Sequence, residues 1–350
     1  MLPTGQGTKA LQIGSLTGSL TSLSASFPFL VTLKLTDVRP TFSDLQSLSQ
    51  LSSLRNLCLQ DIHCTRETFS QCPSPGEVES VFSHLQQLTA LDMQQNSKWC
   101  IGSSTKYLTE DLQGLSFMTN LHRLSVKTLY MPVAAPTFGL RIPYSEPLVP
   151  CNRLLDLSHL IHLHLDSARP GLTAMASLSS LHIRSLPDDN FPENFSALQS
   201  LTQLNVGVGR VREGDIAALS ALTDLSHLTL RGYLCCAWLH DMAERPWAGF
   251  TLLKSLKQLD LIGVNFDGEM FDILTTMTQL TGLVLSFNQL PLDSIDMPSL
   301  RLSSLINLQS FKIGLSVSGQ RRMSDVWLPC RAQMLFQIHL PGVPVSQFEY

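Results

Sequence analysis

Apolar residues recur along most of the chain with the spacing apolar-x-x-apolar-x-apolar. It is met at Leu30/Leu33/Leu35, Leu54/Leu57/Leu59, Leu88/Leu91/Met93 and Leu121/Leu124/Val126. It continues at Leu160/Leu163/Leu165, Leu178/Leu181/Ile183, Leu201/Leu204/Val206 and Leu225/Leu228/Leu230. Leu256/Leu259/Leu261, Leu280/Leu283/Leu285, Leu308/Phe311/Ile313 and Leu335/Ile338/Leu340 complete the series. Successive starts lie 18 to 39 residues apart, with 23 or 24 recurring, so the basic unit is about 24 residues. The last two apolar residues of each signature are two apart. On a strand they point to one face, and the residues between and beside them point to the other. Ahead of a signature, Leu45, Leu48 and Leu51 follow at intervals of three, which predicts a short 3₁₀ or α turn. Similar runs occupy 82–88, 112–121, 195–201, 216–225 and 271–280. A coil this small cannot bury its apolar edge alone, so coils are expected to stack with their strands paired in parallel.

Residues 27–340 resemble the leucine-rich repeat family, most closely in Leu280-Thr-Gly-Leu-Val-Leu-Ser-Phe-Asn288-Gln-Leu-Pro. The resemblance implies an α/β solenoid, a horseshoe with a curved parallel β-sheet on its concave face and short helical or 3₁₀ segments on its convex face. It also implies a binding role for the concave face. The family usually places Asn or Cys where Asn288 stands, but Val38, Ile62, Leu129 and Val264 fill equivalent places here. A continuous Asn ladder is therefore not expected, and an apolar side chain there packs in the core instead. The expected organisation is an N-terminal segment or weak cap coil at 1–26, about 12 repeats at 27–340 and a tail at 341–350. Extra residues break the period near 62–81, 94–110, 129–152 and 232–250, and in a solenoid such insertions map to loops.

Composition narrows the function. Of 350 residues, 64 are Leu and only 15% are charged, which is not the composition of a disordered chain. A net charge of −4 gives no electrostatic reason to expect nucleic acid as a partner. No apolar run reaches the roughly 18 residues of a membrane span, and Gly, Ser and Thr interrupt the stretch 11–23, so no signal peptide is recognised. The eight Cys form no CxxC pair and no regular framework, and read as free thiols of a cytoplasmic protein. No G-x-S-x-G, H-E-x-x-H or phosphate-loop motif is present, and Gly207-Val-Gly209-Arg-Val-Arg-Glu-Gly214 has the wrong spacing for a dinucleotide fingerprint. Three imidazoles, His162, His164 and His182, are the right kind of ligand for zinc. The carboxylate needed to support them is present only as Asp166, so no metal and no cofactor are expected.

The sequence thus reads as a non-catalytic protein–protein interaction scaffold. The alternative is the recognition fragment of a larger receptor, adaptor or ubiquitin-ligase-type regulator. The candidate partner-binding residues are the outward cations and imidazoles of the middle coils: Arg123, Lys127, His162, His164, His182, Arg184, His227 and Arg231. They include four of the ten His, and in a chain that is acidic as a whole they imply a protein partner presenting acidic groups. Imidazoles gain charge as pH falls through about 6.5, so such a patch strengthens on mild acidification. The rival anchor is the insertion at 232–250, with Tyr233, Trp238 and Trp247.

Overall fold

The structure is a computed structural model. Its described residues are 7–14, 20–38, 42–60, 83–96, 115, 117–129, 157, 159–167, 172, 175–186, 195–208, 213–232, 246–263, 268–287, 304–315 and 345–349. The chain divides into two compact units, Met1–Leu178 and Ser179–Tyr350.

In the first unit the strands are β1 (Ala10–Gly14), β2 (Thr32–Thr36), β3 (Asn56–Gln60), β4 (Ala90–Asn96), β5 (Arg123–Leu129) and β6 (His162–Ser167). Each pairs in parallel with the next in sequence order. The register superposes the signature leucines: Leu33 faces Leu57, Leu57 faces Leu91, Leu91 faces Leu124 and Leu124 faces Leu163. In the second unit the strands are β7 (Ser180–Ser185), β8 (Gln203–Val208), β9 (His227–Gly232), β10 (Gln258–Ile262), β11 (Gly282–Phe287), β12 (Ser310–Leu315) and β13 (Val345–Glu349). They too pair in parallel in sequence order, so the strand at 203–208 lies between those of the flanking signatures. Parallel pairing is also found outside the span 27–340. β1 falls in the stretch expected as a weak first coil, and β13 in the stretch expected as a tail. The signature at Leu335–Leu340 lies outside the described residues. So does most of each insertion.

Why these residues form these elements is visible in the hydrogen bonds. In the return segments buried apolar residues recurrently donate their N–H to the carbonyl three residues back. Leu51 bonds Leu48 and Leu54 bonds Leu51. Likewise Leu198 bonds Phe195 and Leu201 bonds Leu198, and Met277 bonds Leu274 and Leu280 bonds Met277. The spacing of three is thus one 3₁₀-type turn per apolar residue. Some return segments also contain α-helices: α1 (Leu23–Ser26), α2 (Phe42–Ser47), α3 (Glu213–Ser220) and α4 (Gly268–Thr276). The run then enters the strand, where spacing two takes over, and Leu54, Leu57, Leu201, Leu204, Leu225 and Leu228 are all buried. Burying each leucine stabilises the stack by roughly 1.5–3 kcal/mol.

Polar groups lock each coil to the previous one. The N–H of a strand's first residue and that of the residue before it converge on one carbonyl of the preceding coil, as Asn56 and Arg55 do on Val31 at 3.0 and 2.8 Å. Hydroxyls reinforce this contact: Thr202 donates to the Ser179 carbonyl at 3.0 Å and Ser226 to the Thr202 carbonyl at 3.1 Å. Amides in the turns do the same, Asn120 to the Gln86 carbonyl and Asn307 to the Thr278 carbonyl, at 3.0 and 2.8 Å. Val38 is buried at the position where the family places Asn, and packs as an apolar side chain there was expected to. Asn288, Ile62 and Val264 lie outside the described residues. At Asp37 and Gly263 the chain leaves β2 and β10 with φ of 52° and 67°. Gly and Asp tolerate this conformation, and each N–H there bonds the next strand, at Gln60 and Ser286.

Candidate binding face

In each unit the strands present two chemically distinct faces because side chains alternate along each strand. The apolar set faces the return segments. The other set forms an open face, on which the candidate residues fall.

On the open face of the first unit, Arg123 and His162 are exposed and occupy paired register positions on β5 and β6. His164 is half-buried opposite Ser125. Lys127 lies on β5 opposite Gln94 of β4, and its side chain is outside the described set. Ser125 departs from the alternation, with only 7% of its surface exposed although its position faces outward. It is short and stands between Asp92 on β4 and His164 on β6.

The open face of the second unit carries exposed Arg184 and Arg231 and half-buried His182 and His227. Arg231 is paired with Gly207, which places no side chain beside it. His227 is less free than its outward position implies: its Nδ1 lies 2.7 Å from the Ser226 hydroxyl. On β10, Asp260 accepts from Gln258 Nε2 at 3.3 Å and from Thr229 Oγ1 at 3.3 Å. Burial holds its carboxyl above the ordinary carboxylate range, opposed by those two hydrogen bonds and by the charges of His227 and Lys312.

Sequence reading missed two residues of these faces, Asp92 and Asp260, each at the central outward position of its strand. The signal was present as Leu91-Asp92-Met93 and Leu259-Asp260-Leu261. Listing outward positions over all coils rather than the middle ones finds both. The aromatic insertion offers no comparison, since Tyr233, Trp238 and the Trp247 side chain are outside the described residues. Among the described residues no group of three or more His, Cys, Asp or Glu is placed to hold a metal ion. None of their helices is long and apolar enough to cross a membrane.

Strand register, leucine spacing and turn bonding define the class: the chain has the leucine-rich repeat fold. No protein-family model and no curated protein matches the sequence. Similar solved structures include an internalin, InlF, from Listeria monocytogenes, at 18% identity and TM-score 0.47, covering 90% of this chain and 88% of that one. The functional domain of InlJ from Listeria monocytogenes, which includes a cysteine ladder, is similar at 15% identity and TM-score 0.35, over 87% of this chain and 59% of that one. TLR13, in complex with ssRNA13, is similar at 16% identity and TM-score 0.40, over 89% of this chain and 55% of that one.

Proposed function

We propose that the chain is a non-catalytic protein-binding scaffold whose open sheet face docks a protein partner with acidic groups. The observation that carries this reading is the exposure of Arg123 on the open face of the first unit and, separately, of Arg184 and Arg231 on the open face of the second. Guanidinium groups are the side chains best suited to fork-like bonding with carboxylates. His162, His164, His182, His227 and Lys127 complete the proposed set, with His164, His182 and His227 half-buried. The net charge of −4 favours a protein over nucleic acid. The compartment we assign is the cytoplasm, in keeping with the irregular cysteine spacing, which shows no CxxC pair or disulfide framework. A second reading, a recognition portion of a larger receptor, adaptor or ubiquitin-ligase-type regulator, keeps the same face and adds catalysis or anchoring elsewhere.

The test uses the full chain as bait and quantifies each captured protein. Arg123→Ser alone, and Arg184→Ser with Arg231→Ser, are each expected to reduce capture of a specific partner, and rising salt to reduce it further. A partner retained equally by all these baits and indifferent to salt overturns the acidic-partner reading.

A further inference from the structure

Among the described residues, the open face of the first unit contains three buried polar atoms without a hydrogen-bond partner, on Thr36, Asp92 and Ser125, and the last two stand side by side. Asp92 Oδ2 accepts from Gln94 Nε2 at 2.8 Å and lies 3.9 Å from the Cys58 thiol, but Oδ1 has no partner. Ser125 Oγ, on a residue 7% exposed, has none either. The two residues are register partners on β4 and β5, both at outward positions. Two unmet acceptors side by side are costly to keep in a folded protein, and a donor supplied from outside the chain would satisfy both.

We propose that Asp92 and Ser125 form a subsite for a primary ammonium group, the side chain of a lysine on the partner. This deepens the proposed function, because it rests on the open face being the docking surface. Adjacent strands stand about 4.8 Å apart. One tetrahedral nitrogen making two hydrogen bonds of about 2.9 Å reaches acceptors about 4.7 Å apart, so a single ammonium fits a pair carried on neighbouring strands. Its charge neutralises the carboxylate, and its second N–H meets the hydroxyl. Neither atom touches solvent in this conformation, so entry requires a neighbouring side chain to swing aside. Gln94, already bonded to Oδ2 from the same strand, is a flexible one. With Arg123 exposed on the neighbouring strand, the matching partner surface is a lysine accompanied by acidic residues. That pattern excludes uniformly acidic surfaces, which leave the carboxylate facing like charge.

The experiment titrates Nα-acetyl-lysine N-methylamide into the full chain carrying carbon-13 at its aspartate carboxyls. Nα-acetyl-norleucine N-methylamide, which lacks the ammonium, is the control. The Asp92 signal is assigned as the one lost in Asp92→Asn. The expected result is a saturable shift of that signal with the lysine probe and none with the control. Ser125→Ala keeps the charge and removes one hydrogen bond, and is expected to weaken the probe by about tenfold. Circular dichroism checks that both variants remain folded. An equal response to both probes, a shift that never saturates, or unchanged affinity in Ser125→Ala overturns the subsite, the last outcome leaving only general charge attraction. Because the probe carries no acidic group, its binding survives a failure of the acidic-partner reading. Conversely, capture through the arginines without probe binding removes the subsite alone.

Discussion

Asp92 in the first unit and Asp260 in the second hold the same place in their repeats, the central outward position between two core residues, yet their surroundings differ. Asp260 is held on both oxygens, by Thr229 from the preceding strand and Gln258 from its own. The charges of His227 and Lys312 also act on it. Asp92 is held on one oxygen only, by Gln94 and at longer range by Cys58, and its neighbour on the following strand, Ser125, donates nothing to it. The repeat therefore fixes where a side chain points. Neighbours on its own strand and on adjacent strands fix what it can do. One carboxylate is a structural node and the other is an open acceptor.

The largest expected effect comes from moving either carboxylate by one residue. Leu91 and Leu259 are fully buried. Leu91→Asp or Leu259→Asp loses more than the roughly 2–5 kcal/mol of a core Leu→Ala change, because a buried charge is added. Thermal melts followed by circular dichroism are expected to show loss of cooperative unfolding. A melt close to that of the unmodified chain would break the assignment of faces. Next in size is Thr229→Val, which removes a donor to Asp260 and is expected to cost about 1 kcal/mol in denaturant unfolding. It also leaves Asp260 with an unmet oxygen, like Asp92, so the comparison predicts that Asp260 then begins to respond to the lysine probe.

A smaller, pH-dependent effect is expected for Asp260→Asn. Burial raises the folded-state pKa of Asp260. Such a group contributes its stability in full below the ordinary carboxylate value of about 3.9, and loses it as pH rises through the folded value. At pH 7 the Asn variant is therefore expected to melt above the unmodified chain. The gap should narrow as pH falls through the raised value and close below about 4. A gap that widens on acidification contradicts the burial argument. The smallest effect is that of Ser125→Ala. Its hydroxyl is buried without a partner, so removing it is expected to leave unfolding unchanged or slightly harder.

Much of this was legible in the sequence because both periods are set by backbone geometry. Spacing three, as in Leu48/Leu51/Leu54, is the 3₁₀ turn, and spacing two, as in Leu57/Leu59, is the strand. Together they place every described signature strand and its core face. β13 was missed because Val345 and Gln347 fall at the register positions of Phe311 and Ile313, and Gln breaks the apolar signature. The finer chemistry of the open face was less legible. Outward direction predicts that Ser125 is solvated, but its burial depends on neighbours 33 and 39 residues away on β4 and β6. The tie between His227 and Ser226 is equally invisible to alternation, because it depends on a rotamer choice between sequence neighbours.

The most direct test of the binding account is quantitative capture by the full chain and by variants that each lack one or two cations. One set removes open-face cations, as Arg123→Ser or as Arg184→Ser with Arg231→Ser. The other removes the exposed turn cations Lys254 and Lys257, which lie ahead of β10 and off the open face. The account expects a partner whose capture falls with either open-face set, falls further with salt and is unchanged by the turn set. Equal losses from open-face and turn variants would mean that net charge alone drives association, and would contradict a specific docking face.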